Sequence, residues 1–365
     1  MMEGNAGNIH PDVYKAYSDN LRKAVGGVFR SDDYGDRYFD LQAQLQSNVT
    51  RFAAYKAYHL TEQLKKQREK WTDDDEYKKV AKAVLNTFNR YQAAEYNTAT
   101  ARARTAKQWT DFTSDPIANE LYPNLKWLPS RSANPREEHM VFYNRVLAKS
   151  DPFWSENQPG NLWNCKCDWE ETDDPVTDSN PTDAHHAKGL DGNPAETGEI
   201  FTKECTYFKQ AGRNRRERDE VEKVCENSNK KTTLDMAANS IANKQGKCWI
   251  GAEEKVVEYN MKQLNHYVDS LFGNQKLFWF KNAIIEQLPK IVESSECVGR
   301  KESDTTHNTA KKTLKLKNAT DYFYYFETKL PNGETVYIHL GRWRETQIMY
   351  IYAITKNLPE NIETI

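Results

Sequence analysis

Long apolar runs are missing from this chain. No stretch of its 365 residues approaches the roughly 18 consecutive apolar residues that a membrane-spanning helix needs, so no membrane contact is expected. The first ten residues carry Glu3, Asn5 and His10 and no apolar run of secretory length, which leads us to expect a chain kept in a reducing cytosol. Cysteine is scarce: six residues, at 165, 167, 205, 225, 248 and 297, are too few over this length for a disulfide-stapled scaffold. Neither sign of charge dominates. A net charge of −2 creates no global field that would draw the chain to nucleic acid, so any such contact must come from local basic patches. Paired carboxylates at suggestive spacing, a glycine-rich phosphate loop and a Ser/His/Asp arrangement are absent as well. Metal-dependent nuclease chemistry is therefore not expected.

What is present points to a folded protein with much surface for its core. Hydrophobic residues make up 38% and aromatics 12%, and mean hydropathy is −0.90. The aromatic share argues against general disorder, because disordered chains lack the large apolar groups that bury area. Single cores rarely grow past roughly 250 residues, so this length predicts two or three modest domains.

The first hundred residues read as helices. Leu41, Leu45, Val49 and Phe52 step by four, four and three, and Leu60 and Leu64 extend the stripe. After the Thr72-Asp73-Asp74-Asp75 run, which supplies a cap and dipole-favouring acids, Val80, Val84, Phe88 and Tyr91 repeat it to about Trp109. Core packing or a helical hairpin is the expected use of both stripes. From Pro116 onward prolines recur at short intervals, interleaved with Trp127, Trp154 and Trp163; regular helix is interrupted and the tryptophans are expected to pin loops to a small core. Residues 170–200 have loop composition, and Lys209 to Arg218 is basic. Residues 226–247 are rich in Asn, Lys and Ala and read as a linker with some helix.

The last hundred residues differ in kind. Val257–Phe272 and Phe278–Val292 carry two helix patterns, followed by strand patterns at Thr313–Lys317, Tyr322–Leu330, Thr335–Gly341 and Gln347–Thr355. Pro331-Asn332-Gly333 between the second and third is a hairpin signal, since Asn-Gly tolerates positive φ at both central turn positions. In the third strand Val336, Ile338 and Leu340 share one face, Tyr337 and His339 the other.

Between residues 101 and 208 a series of blocks resembles the Mu F-like family of phage minor head proteins. They are Ala101-Arg102-Ala103-Arg104-Thr105-Ala106, the segment around Trp127, Arg136 with His139, Asp151-Pro152-Phe153-Trp154 with Pro159, and Cys165-Lys166-Cys167. Asn193-Pro194, Gly198, Phe201 and Tyr207-Phe208 complete the series. No single block is specific; their order and spacing over about 110 residues carry the resemblance. Lys166 departs from it, since the family usually has Arg between the cysteines; the charge is kept and the planar fork lost. The resemblance implies a few-copy head protein of the virion, present in the host cytoplasm during assembly. Its implied partners are phage portal and capsid proteins, and phage DNA during packaging or ejection.

The resulting fold class is α+β: a helical region over 1–100, an irregular Mu F-like core over 101–215, a linker over 216–250, and C-terminal helices plus an antiparallel meander over 251–365. Within the core, Cys165 and Cys167, with His139 upstream and His185 or His186 downstream, are read two ways. They are buried free thiols or a redox pair, or they form a Cys/His zinc site, zinc being the one cofactor the residues allow. Arg136 and His139 fall on one helical turn, where a structural polar cluster is the plainer reading. Arg213, Arg215 and Arg216, with Lys312 further on, are candidate nucleic-acid contacts through phosphates, or a solvated helix face.

In architecture the C-terminal region resembles the small Barnase–EndoU–colicin–RelE class of RNases. The resemblance implies a metal-independent RNase with an RNA substrate and an immunity partner. The chemistry needs a base for the 2′-hydroxyl, a cation for the phosphorane charge and an acid for the leaving oxygen. His339, Arg342, Arg344, Lys315, Tyr352 and Thr355 are the candidates, with His307 in the preceding loop. Residues 300–356 hold ten Lys or Arg against six Asp or Glu, a local excess that suits a polyanion. Two other readings stand beside it: a C-terminal binding module on a purely structural head protein, and a toxin that reuses the head-protein domain.

Overall fold

The computed structural model describes residues 9–30, 35–177, 186–211, 214–273, 277–303, 318–331 and 333–365. It is an α+β protein, as expected, and divides into two compact units: residues 1–31 with 41–225, and residues 32–40 with 226–365. The predicted strand 313–317, the loop residue His307, His185, Arg213, Lys312 and Lys315 lie outside the described residues.

The first unit begins with three helices, α1 (Pro11–Phe29), α2 (Phe39–Lys70) and α3 (Asp74–Ser114). The stripe on α2 does what its spacing predicts: Leu45, Val49 and Phe52 are fully buried. Asp73 caps α3, its carboxylate accepting from the backbone N–H of Asp75 and Glu76 at 3.0 and 2.9 Å. The stripe on α3 is only partly used, since Phe88 is buried while Tyr91 is 49% exposed. The more buried part of α3 is the Ala/Arg/Thr run, where Ala103, Ala106 and Arg102 have no exposed surface. Small side chains there let the following loops approach the helix closely.

Short elements follow: α4 (Pro116–Leu121), β1 (Asn124–Leu128), α5 (Glu137–Met140), β2 (Val146–Ala148), α6 (Phe153–Glu156), β3 (Asp168–Thr172), α7 (Pro194–Thr197) and α8 (Thr206–Ala211). The strands form an antiparallel sheet in the order β2-β1-β3. Its core is aromatic: Trp127, Phe142, Phe153, Trp154 and Trp169 pack with Leu125, Leu147, Cys165 and Cys167. Trp127 and Trp154 stack with ring centroids 6.3 Å apart. Large fully buried rings of this kind cost about 3–5 kcal/mol when truncated to alanine, which is how a small, proline-broken region holds one shape.

Helix α9 (Arg215–Ser240) runs through the segment read as a linker, and the boundary between the units falls inside it. The second unit then holds β4 (Gln245–Ile250), β5 (Glu253–Glu258), α10 (Met261–Asp269), α11 (Phe278–Ile284), a 3-10 turn, α12 (Leu288–Ser294), β6 (Glu296–Glu302), β7 (Thr320–Lys329), β8 (Thr335–Trp343) and β9 (Met349–Thr355). The pattern at 257–272 was expected to be one helix; its start is instead a strand, and the helix begins where Asn260 accepts from the Gln263 N–H at 3.2 Å. The meander is present as β7-β8-β9, with Lys329 opposite Thr335 at the hairpin and Gly333 at φ +84°. It belongs to a larger mixed sheet, β4-β5-β9-β8-β7-β6, whose β5–β9 pair is parallel. Val336, Ile338 and Leu340 are fully buried and pack in one core with Leu264, Tyr267 and Val268 of α10 and Leu288, Ile291 and Val292 of α12. Gly341 is required by close approach, because a Cβ there would collide with the Tyr350 ring.

Candidate functional site

Three chemically active side chains meet inside the aromatic core of the first unit. His139 sits on α5, a single turn held against β1 because Trp127 N–H donates to the Arg145 carbonyl and Asn144 N–H to the Trp127 carbonyl, at 2.9 and 2.8 Å. The Cys165-Lys166-Cys167 segment leads into β3. Asn164 before it adopts φ +59°, a left-handed conformation that Asn tolerates, and its N–H donates to the buried Thr98 hydroxyl of α3 at 3.1 Å. The Arg131 N–H donates to the Lys166 carbonyl at 3.2 Å and ties the loop before α5 to the same segment.

These constraints bring His139 Nδ1 to 3.4 Å from Cys165 Sγ and 3.7 Å from Cys167 Sγ. The Cys167 backbone N–H points at Cys165 Sγ, 3.5 Å away. His139 has no exposed surface, and the cysteines are 7% and 3% exposed. The two thiols are unequal. Hydrogen bonding from Cys167, with His139 adding to it, pulls Cys165 down to about 4 against the effect of burial. Cys167 is raised by the neighbouring Cys165 and by burial. Beside the pair opens a pocket of about 370 Å³, lined by Ser130, Ser132, Arg136, Lys166 and both cysteines. Arg136 stands at the rim, its guanidinium 3.5 Å from the Trp163 carbonyl, and does not join the buried cluster.

The C-terminal candidates are placed differently. His339 Nε2 lies 2.8 Å from the Thr355 hydroxyl, and its ring meets Tyr325 edge-on at 4.6 Å. Burial pushes its pKa down to about 4, so the imidazole is neutral. Arg342 lies over Tyr322 and Tyr324 and pairs with Asp321 at 2.8 Å. Because Tyr324 is opposite Leu340 and Tyr325 opposite His339, Arg342 and His339 sit on opposite faces of the sheet. Arg344 donates to the Thr320 carbonyl at 3.3 Å. The Tyr352 ring meets Phe323 and His266 at tilted angles, with centroids 4.7 and 4.4 Å away. His339 and Thr355 are brought together; Arg342 is not brought to them. Arg215 and Arg216 form i,i+4 pairs with Asp219 and Glu220 on an exposed turn of α9.

Over 87 residues the chain is 31% identical to the "Putative capsid assembly protein F" of Escherichia phage Mu. The likeness is partial on both sides. It covers 24% of this chain, which spans only 19% of the phage Mu protein. No protein-family model matches the chain, and no solved structure matches it.

Two buried polar features of the first unit stand outside the candidate site residues read from the sequence. Arg102 is fully buried and donates to Asn161 and to the carbonyls of Leu190, Asp191 and Gly192, the last three at 2.6, 3.1 and 3.2 Å. One guanidinium thereby ties α3 to segments 59 to 97 residues further along the chain. Lys56 and Glu95 form a buried ion pair between α2 and α3, with the Tyr17 ring 4.5 Å from the ammonium. Lys56 falls four residues after Phe52 and four before Leu60, so a lysine inside the apolar stripe was the available signal.

Proposed function

We propose that this protein is a phage head component that acts in capsid assembly, in few copies, against portal and capsid proteins. The observation that carries the reading is the 87-residue likeness to the phage Mu capsid assembly protein. The series of blocks from Ala101 to Phe208 supports it, because those blocks serve one purpose in the fold. Arg102 gathers Asn161 and the 190–192 carbonyls, while Trp127, Trp154 and both cysteines form one core. Among the described residues no helix is long and apolar enough to cross a membrane, which agrees with partners that are proteins or DNA.

Residues 226–365 act, in this reading, as a binding module rather than an RNase. What supports this is how the candidate groups are engaged. His339 is neutral and bonded to Thr355, and the charge of Arg342 is met by Asp321 on the other face of the sheet. A phosphorane-like transition state needs a base and a cation within reach of the same phosphate.

The deciding experiment is quantitative mass spectrometry of purified procapsids and mature heads from cells that produce this chain, with a parallel deletion. The expected result is a few copies per head and a loss of filled heads on deletion. Its absence from both particles, with normal heads in the deletion, would overturn the reading. Purified full-length protein incubated with total RNA in chelator tests the module: intact RNA is expected, and cleavage that His339→Ala abolishes would restore the RNase reading.

A further inference from the structure

We propose that His139, Cys165 and Cys167 bind one thiophilic d10 metal ion, zinc(II), as a three-ligand site whose fourth position opens to the adjoining pocket. The inference is independent of the head-assembly reading. It starts from distances. In a tetrahedral site with bonds of about 2.3 Å to sulfur and about 2.0–2.1 Å to nitrogen, ligand nitrogen and sulfur stand roughly 3.6 Å apart. His139 Nδ1 is 3.4 and 3.7 Å from the two sulfurs, and all three ligand atoms lie within 4.8 Å of one another. The nitrogen thus stands at the distance from each sulfur that a shared tetrahedral ion requires.

The surroundings are those a metal thiolate uses. A backbone N–H, that of Cys167, points at Cys165 Sγ from 3.5 Å, a donor that stabilises a sulfur carrying negative charge. The Trp127 indole N–H is buried without a hydrogen-bond partner, in the same core as both cysteines. A buried donor left without an acceptor is costly. A metal-bound thiolate in that core would offer this donor an acceptor. A hydrophobic shell of Trp127, Phe142 and Trp169 keeps the donor set dry, which strengthens ligation by thiolate and imidazole. Soft sulfur with imidazole selects zinc or copper(I) over magnesium, calcium or manganese.

The fourth position follows from what is and is not nearby. Among the described residues no further His, Cys, Asp or Glu joins the three ligands. Both cysteines line the pocket of about 370 Å³ that also holds Ser130, Ser132, Arg136 and Lys166. Three protein ligands with an accessible coordination position is the arrangement of open zinc sites, in which water fills the fourth place. The short Cys-x-Cys spacing does not oppose this, because Cys165 and Cys167 flank a residue whose side chain is exposed, leaving both sulfurs on the inner side.

The test uses the full-length protein, reduced and stripped with chelator, then titrated with zinc(II) or cobalt(II). We expect one equivalent of zinc by elemental analysis. With cobalt we expect a thiolate-to-cobalt charge-transfer band and intense tetrahedral d–d bands, the latter shifting when azide enters the open position. Cys167→Ser and His139→Gln should each lower cobalt affinity by about 10-fold or more, and Cys205→Ser, a buried cysteine elsewhere, should leave it unchanged. Near-ultraviolet circular dichroism of each variant separates ligand loss from misfolding. Reduced wild-type protein that takes up neither metal would overturn the site. Spectra with full cobalt occupancy that azide leaves unmoved would overturn the open fourth position.

Discussion

Lys56 and Glu95 face each other across α2 and α3 as an ion pair with almost no access to water, their side chains 0% and 6% exposed. Burial pushes Lys56 down and Glu95 up, and on each residue the partner's charge opposes that push. The Tyr207 hydroxyl reaches the same carboxylate at 3.5 Å. Desolvation of two charges makes such a pair a poor source of net stability, but one whose halves depend on each other. Lys56→Met should destabilise the first unit by about 3–5 kcal/mol, because Glu95 is then buried alone. The double variant Lys56→Met/Glu95→Leu should recover most of that loss. Urea unfolding of the two variants beside the wild type checks it, and a double variant as unstable as the single one would mean the pair is not coupled.

Arg102 presents a stronger dependence on shape. Its guanidinium spans Asn161 and the carbonyls of Leu190, Asp191 and Gly192, an arrangement only a planar fork with several N–H groups can meet. Burial lowers its pKa to about 10, so it stays charged at neutral pH. Arg102→Lys keeps the charge and should still cost about 3 kcal/mol or more, since several carbonyls lose their donor. Limited proteolysis should then cut within 186–211 far faster than in the wild type. An unchanged cleavage pattern would show that the carbonyls find other donors.

His339 makes the second unit sensitive to acid. Its folded pKa, pushed down to about 4 by burial, lies below the ordinary value of 6.5. The folded state therefore binds fewer protons than the unfolded state between those values. Stability from the neutral imidazole is complete above 6.5 and is lost as pH falls towards 4. The expected loss over that interval is roughly 3 kcal/mol at most. His339→Gln, which keeps a donor for Thr355, should flatten the dependence of Tm on pH between 7 and 4. A wild-type curve that is already flat there would mean the imidazole is solvated.

Periodic features of this protein are local, and they survive translation into structure. The four-four-three stripe of Leu41, Leu45, Val49 and Phe52, the Asp73 cap and the β7–β8 hairpin each depend on residues within one turn or one strand pair. At Val257 the periodic reading missed a local competitor. The apolar run from Val257 fits a helix until Asn260 is recognised as its cap, which frees 253–258 to form β5. Residues 226–247, read as a linker because their apolar groups are few, are helical as far as Ser240, with Thr233, Ala237 and Ile241 buried.

Sequence alone determined the helices of the first hundred residues, the meander, and the residue types able to bind metal or stack in a core. Those follow from backbone propensity and side-chain period, which act over a few residues. Tertiary structure alone decided that His139 meets cysteines 26 and 28 positions away, that Arg102 binds carbonyls some 90 positions on, and that Arg342 and His339 part to opposite faces. Distances of that kind arise from chain packing and from the need to satisfy buried polar groups. No spacing along the chain encodes them.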